Sequence, residues 1–186
     1  MVAQTDPPPL GVEDYLALEA TSRERHEYVD GRLYAMAGGT NAHDRIGNNV
    51  RAQINVHLGA GPCVLHGSDV RLRVSPTVYC YPDAFVTCDR EMEAEITEFG
   101  SARLVVEVLS DRTEAIDRGE KFANFQTMAG FAEYLLIDGR RRAVERFRRT
   151  TDGEWLYRSY GTEDTLTLDS IGLILPIGIL YLASGL

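Results

Sequence analysis

The sequence predicts an α/β domain in which a central mixed β-sheet is flanked by helices. Short apolar runs typical of buried strands alternate with longer segments that carry apolar residues at helical spacing. The clearest case is the run LVVEVL at 104–109, followed after a short turn by a helical segment from 114 to about 128. With 186 residues, 44% of them hydrophobic and 25% charged, we expect one domain spanning 1–186.

The first third of the chain predicts an extended arm, a helix and a hairpin. Residues 1–10 contain three consecutive prolines and form the arm, and apolar residues at helical spacing predict a short helix over 12–20. Asp30-Gly31 joins two short runs within 26–36, which is the strongest local signal for a tight hairpin. Glu27 lies on the first arm of this hairpin.

A longer helix is predicted after the Gly-Gly pair that ends the hairpin. Thr40 or Asn41 can cap it, His43 lies in its first turn, and it ends at 59–61. Its apolar residues recur every four positions, at Ile46, Val50 and Ile54.

Three strands and a loop follow. Runs at 63–66 and 69–74 are separated by a Gly-Ser turn, and 78–88 is a further strand with Pro82-Asp83 inside it. Because proline cannot donate to a sheet ladder, this strand is at an edge, is bulged, or starts again at Pro82. The acidic stretch 90–101 is predicted to be a loop.

Beyond the central strand and helix, alternating residues predict a three-stranded meander over 132–137, 143–148 and 154–160, with Asp-Gly turns at 138–139 and 152–153. The apolar segment 171–182 contains Gly172, Pro176 and Gly178 and is too short to cross a bilayer. We expect it to pack on the core and expect no membrane partner.

Charge and cysteine content narrow the function classes. The net charge of −9 argues against a protein that coats nucleic acid through bulk charge, although an acidic nuclease remains open because divalent cations offset charge locally. Cys63, Cys80 and Cys88 are odd in number and lack CxxC spacing, so we expect neither a disulfide framework nor a zinc site. With no signal-peptide pattern at the N-terminus, a cytoplasmic location fits best.

The chemistry is predicted to centre on Glu107, since a lone carboxylate in a buried strand needs a proton, a cation or a metal. Asp83 on one strand, Glu107 on the next and Lys121 on the following helix are two acids and one base suited to metal-assisted phosphodiester hydrolysis. Mg²⁺ binds one or two carboxylates plus water and phosphate, and the backbone carbonyl of Val108 can add an oxygen. Lys121 would orient the attacking water or stabilise the developing charge.

These residues also carry a family resemblance. Pro82-Asp83, then Glu107-Val108-Leu109, then 117–122 (DRGEKF) resemble the signature of the Uma2 family of restriction-type endonucleases, a branch of the PD-(D/E)XK nuclease superfamily. The chain departs from the superfamily pattern at Leu109, where lysine is usual. In this branch the lysine comes from the next helix, here Lys121. Further matches lie at 27–31, 39–43 and 133–138.

The resemblance implies a restriction-endonuclease-like fold and metal-dependent hydrolysis of DNA, with Mg²⁺ as the cofactor and Mn²⁺ able to substitute. It also implies a homodimer, which suits cleavage of both strands of a duplex. Two supporting roles stay open. His43 is either a neutral imidazole facing a phosphate or an exposed polar residue, and Glu27 is either an outer metal ligand or a partner across the hairpin.

The only basic cluster lies at 140–149. Arg142, Arg146 and Arg148 share one face of their strand by two-residue alternation, so they are candidates for tracking a phosphate backbone. A solvated strand edge protected from aggregation explains them equally well.

Two other function classes remain. One is a catalytically inactive nucleic-acid-binding or regulatory module of the same fold, which the acidic charge favours. The other is a hydrolase such as a glycosidase, in which Asp83 and Glu107 form a metal-free acid and base pair.

Overall fold

The computed structural model describes residues 9–36, 38–88 and 95–186. In chain order the elements are α1 (Val12–Thr21), β1 (His26–Val29), β2 (Arg32–Ala35), α2 (Asn41–Leu58), β3 (Val64–Gly67), β4 (Arg71–Ser75), β5 (Val78–Cys80), β6 (Ala84–Thr87), β7 (Glu98–Phe99), β8 (Leu104–Leu109), α3 (Glu114–Ile116), a π-helical turn (Asp117–Lys121), α4 (Phe122–Phe125), β9 (Glu133–Asp138), β10 (Val144–Arg149), β11 (Trp155–Tyr160), β12 (Thr165–Leu168), β13 (Leu173–Pro176) and α5 (Ile177–Leu180).

A six-stranded mixed sheet forms the centre, in the order β11-β10-β9-β8-β6-β3. Strands β8 and β9 run parallel, whereas the other neighbouring pairs are antiparallel. The parallel pair needs a crossover, and the chain from β8 to β9 provides it with α3, the π-helical turn and α4. The predicted central mixed sheet, its meander and its flanking helices are confirmed.

Each face of the central sheet packs on its own core. On one face, α2 and the C-terminal elements cover Val106 and Val108, and on the other a second sheet and α4 cover Val105 and Leu109. Because side chains alternate along a strand, Glu107 projects to the same side as Val105 and Leu109. The sheet therefore aims this carboxylate at the second sheet and the crossover helix.

The second sheet has five strands in the order β2-β1-β5-β4-β7. The predicted hairpin is present as β1 and β2, and its turn residues Asp30 and Gly31 have φ values of 46° and 92°. Because β1 pairs with β5, the hairpin lies at the edge of the second sheet and not of the central one.

Residues 81–83 carry the chain from the second sheet to the central one. Strand β5 belongs to the second sheet and β6 to the central sheet, so the strand predicted over 78–88 stops and starts again. The physical reason is Pro82, which has no N–H for the ladder. Strands β3 and β4 likewise lie in different sheets although only a short turn separates them.

The expectation of no disulfide is wrong. Cys63 and Cys88 are bonded, with their Cα atoms 4.0 Å apart, and Cys80 is free and buried. The two cysteines flank the antiparallel pair β3 and β6, in which Val64 faces Thr87, so the register brings together residues that are 25 positions apart in sequence. Spacing along the chain contained no such information.

The C-terminal segment is only partly as predicted. The segment 171–182 packs on the core as predicted, since Leu175, Ile177 and Tyr181 are buried, but its hairpin of β12 and β13 was not predicted. Residues 1–8 of the arm and 90–94 of the acidic loop lie outside the described residues. No helix among the described residues is long and apolar enough to span a bilayer.

Glu133 attaches the C-terminal hairpin to the central sheet. Its fully buried carboxylate accepts hydrogen bonds from the backbone N–H groups of Asp169 and Ser170, at 3.3 and 3.0 Å, and from the Ser170 hydroxyl at 2.6 Å. Nη1 of Arg146, also buried, lies 3.5 Å away.

We expect Glu133→Ala to lower the free energy of unfolding by about 3 kcal/mol, because it leaves two backbone donors and the Ser170 hydroxyl without their acceptor and removes one carboxylate partner of the buried Arg146. Urea denaturation measures the change. Glu163→Ala, at an exposed position, is the control and should change stability by less than about 0.5 kcal/mol. Equal effects of the two substitutions would contradict this role.

Candidate active site

Two reciprocal hydrogen bonds fix Asp83 beside Glu107. The backbone N–H of Val108 donates to Asp83 Oδ2 at 2.7 Å, and the backbone N–H of Asp83 donates to Glu107 Oε2 at 3.2 Å. Strands β6 and β8 are neighbours, with Ala84 opposite Val106, so the sheet register sets this pairing. The structure therefore brings together the two predicted carboxylates.

Lys121 lies among three carboxylates. Its Nζ atom is 2.9 Å from Glu27 Oε1, 3.0 Å from Glu107 Oε1 and 3.3 Å from Asp117 Oδ1. An ammonium has three N–H donors, so these contacts engage all of them. Asp117 and Lys121 both belong to the π-helical turn, a local widening of the helix that occurs frequently at functional sites.

Burial and mutual charge set the protonation of this group. Burial raises the pKa of Glu107 well above its usual value, and Lys121 opposes that rise. Burial also raises the pKa of Asp117. For Lys121 itself, burial alone would lower the pKa, but the carboxylates together raise it well above its usual value, so the ammonium stays charged.

Glu27 and His43 also lie at the site. Glu27 Oε1 accepts a hydrogen bond from the backbone N–H of Tyr81 at 3.1 Å besides contacting Lys121, so the hairpin strand contributes a side chain to the site. His43 Nε2 is 3.4 Å from Asp83 Oδ2. The hydrogen bond to Asp83 raises the pKa of His43, burial opposes it, and a backbone hydrogen bond to Val108 adds to the rise.

A cleft of about 660 Å³ opens over these residues, between the β1–β2 hairpin and the loop that follows β8. Among residues 9–36, 38–88 and 95–186, no group of three or more His, Cys, Asp or Glu side chains is arranged to hold a metal. Asp83 and Glu107 are a smaller donor set, which suits a hard cation that keeps several waters. Three carboxylates contact the one lysine and Asp83 lies beside Glu107, so the carboxylates outnumber the ammonium and a bound cation would offset their charge.

Of the predicted phosphate-binding arginines, Arg146 and Arg148 lie on the other face of the central sheet, whereas the placement of Arg142 on the same strand is wrong, because Arg142 lies in the bend before β10. Arg146 projects to the same side as Val144, whereas Glu107 projects to the opposite side. Arg146 contacts Glu133, Asp169 and the backbone carbonyl of Thr167, and Arg148 Nε lies 3.0 Å from Asp169. Arg142 donates to the carbonyl of Leu186 at 2.9 Å. Their role stays a prediction.

Asp117 was not among the predicted site residues, but the structure buries it in the site beside Lys121. One feature of the sequence points to Lys121 independently of the family resemblance. Lys121 is the only lysine, since the other 18 basic residues are arginines. A chain that uses arginine everywhere else retains lysine where a compact ammonium is needed.

Comparison with known proteins assigns the chain to a protein family. The sequence model of Uma2, described as "Putative restriction endonuclease", matches residues 12–178. The chain belongs to the Uma2 family.

Relatives and a solved structure agree with this assignment. The uncharacterized Synechocystis sp. protein slr1290 is 37% identical over 94% of this chain and 92% of its own length, and sll1609 from the same organism is 28% identical over 79% and 85%. A crystal structure of "a putative nuclease belonging to DUF820" from Anabaena variabilis superposes with a TM-score of 0.78, at 17% identity, covering 93% of this chain and 98% of that one. This Uma2 protein therefore has the predicted restriction-endonuclease-like fold.

We expect Lys121→Met to lower the free energy of unfolding by about 3 to 5 kcal/mol at pH 8, because three carboxylates lose their shared cation. The loss should be smaller at pH 5.5. Carboxyl groups with a folded-state pKa above the usual value stabilise the protein when protonated, and this contribution is lost as pH rises.

Urea denaturation at the two pH values measures both effects. The double variant Lys121→Met/Glu107→Gln is the matched control, since removing one carboxylate with its partner should restore at least about 1 kcal/mol. A single variant that is more stable at pH 8 than at pH 5.5 would exclude this account.

Proposed function

We propose that this Uma2 protein is a divalent-metal-dependent endonuclease that hydrolyses phosphodiester bonds in DNA. The observation that carries the proposal is the group of Asp83, Glu107 and Lys121, in which a lysine from the crossover helix lies 3.0 Å from the strand carboxylate. Membership of a family described as "Putative restriction endonuclease" and the shared fold support it.

Asp83 and Glu107 would hold Mg²⁺, for which Mn²⁺ can substitute. When bound, such a cation supplies a nucleophilic hydroxide near neutral pH and offsets charge on the phosphoryl oxygens. With the cation bound, the contact between Glu107 and Lys121 would weaken. The N–H of Lys121 released in this way would orient the attacking water. Glu27 and Asp117 would keep the ammonium charged and in place. His43 would hold a proton beside Asp83 at the edge of the site.

One observation favours the second candidate, a non-cutting module of the same fold. All three N–H donors of Lys121 face carboxylates, so the lysine reaches neither water nor phosphate without giving up a contact. A regulatory or binding role would need no such rearrangement.

Further parts of the proposal concern partners. We infer a homodimer, because two copies of one active site cut both strands of a duplex symmetrically. Arg142 and Arg148 would then contact the phosphate backbone away from the scissile bond, whereas Arg146 is buried against Glu133 and would support the fold instead. The location proposed for this activity is the cytoplasm.

The protein should nick supercoiled plasmid DNA in Mg²⁺ or Mn²⁺ and lose this activity in chelator. Asp83→Asn and Lys121→Met should each lower the rate at least about 100-fold, because each removes a group that stabilises the transition state. Asp152→Asn, in an exposed turn, should cut like the parent protein. Nicking that persists in chelator or in Asp83→Asn would contradict metal-dependent cleavage, and its absence in both metals would favour the non-cutting module.

A further inference from the structure

One wall of the cleft is apolar, although the other side carries the charged groups. Five residues from β1, β2 and the position after β2 form what we call the hairpin wall: Val29, Leu33, Tyr34, Ala35 and Met36. Hydrolysis of a phosphodiester requires none of these side chains. Tyr34 and Met36 are only half-buried, so the wall is not a closed core.

Tyr34 is the aromatic residue of the hairpin wall. It is half-buried and packs against the core below the second sheet. Other aromatic rings are stacked on one another, for example Phe122 on Tyr134 at 5.3 Å. Within the described part of the chain, Tyr34 takes part in no ring contact and no side-chain hydrogen bond.

The hairpin wall is continuous with the carboxylate and lysine group. Tyr34 is the register partner of Glu27 across the β1–β2 ladder, so the two side chains lie on the same face as neighbours. Glu27 in turn reaches Lys121 at 2.9 Å. A nucleotide whose phosphate lies at Asp83 and Glu107 therefore has Tyr34 within reach of its base.

The charge of the cleft selects what can enter it. Besides His43, its lining carries one lysine and two arginines, Lys121, Arg112 and Arg140. Arg140 is already paired with Asp111, Glu114 and Asp138. Six carboxylates face them: Glu27, Asp83, Glu107, Asp111, Asp117 and Glu120. Several phosphates side by side would be repelled here, whereas a neutral base next to one metal-bound phosphate would not.

We propose that the hairpin wall binds an unpaired nucleobase stacked on Tyr34, so that the substrate is DNA with an unpaired nucleotide beside the scissile phosphate. This rests on the proposed nuclease function and specifies its substrate class. A base inside a duplex has its faces covered by its neighbours and cannot stack on a tyrosine unless it is extruded. Aromatic stacking accepts any base, so the pocket has no sequence preference of its own.

The test measures binding of three fluorescent DNAs that contain 2-aminopurine, with Ca²⁺ in place of Mg²⁺. They are a single strand, a perfect duplex, and a duplex with one bulged nucleotide. The single strand and the bulged duplex should bind more tightly than the perfect duplex. Tyr34→Ala should weaken binding of those two DNAs by about 5- to 150-fold, the range for removing an aromatic ring from a stacked base.

Tyr34→Phe keeps the ring and should bind DNA like the parent protein. This variant therefore shows whether weaker binding in Tyr34→Ala comes from the lost ring or from misfolding. Tyr157→Ala, which removes an exposed aromatic side chain on β11, is the matched control and should change nothing. The inference is overturned if Tyr34→Ala binds all three DNAs unchanged, if it weakens the perfect duplex equally, or if the parent binds none of them.

Plasmid nicking distinguishes this inference from the proposed function. If nicking depends on Asp83 but DNA binding does not change in Tyr34→Ala, the proposed nuclease function is supported and the base pocket is excluded. If DNA binding depends on Tyr34 but neither metal supports nicking, the base pocket is supported and the proposed nuclease function is excluded.

Discussion

The site depends on one ammonium group held among three carboxylates, of which Glu107 and Asp117 are buried and Glu27 is half-buried. Lys121 lies within 3.3 Å of Glu27, Glu107 and Asp117, which come from the hairpin, the central sheet and the crossover helix. Separating any of these groups would leave a charge buried without a partner, which costs several kcal/mol. The same contacts that position the lysine therefore join three parts of the fold.

The architecture explains how residues distant in sequence meet there. The chain passes between the two sheets at Pro82, which places Asp83 at the start of β6, directly beside β8. The parallel arrangement of β8 and β9 requires a crossover, and its π-helical turn carries the lysine over the sheet face that bears Glu107. Neither carboxylate could be moved by one position along its strand without turning to the opposite core.

Local signals predicted much of this from sequence. Asp30-Gly31 identified the hairpin, and the Thr40 cap with the Ile46 repeat identified α2, because turns and helix ends depend on neighbouring residues. Long-range pairing was harder. The sequence did not show that β1 pairs with β5, that Cys63 meets Cys88, or that Arg146 is buried, since each depends on strand register. Lys121 was predicted from its place on the helix after Glu107 and from the family resemblance, and its being the only lysine was a further signal.

Diffraction from crystals soaked in Mn²⁺ tests the central claim most directly, because the anomalous signal locates the ion without relying on activity. The account predicts one peak within coordinating distance of both Asp83 and Glu107, with Lys121 still beside Glu107. The peak should be lost in Asp83→Asn crystals. Ordered carboxylates with no peak between them, or a peak elsewhere that persists in Asp83→Asn, would contradict the account.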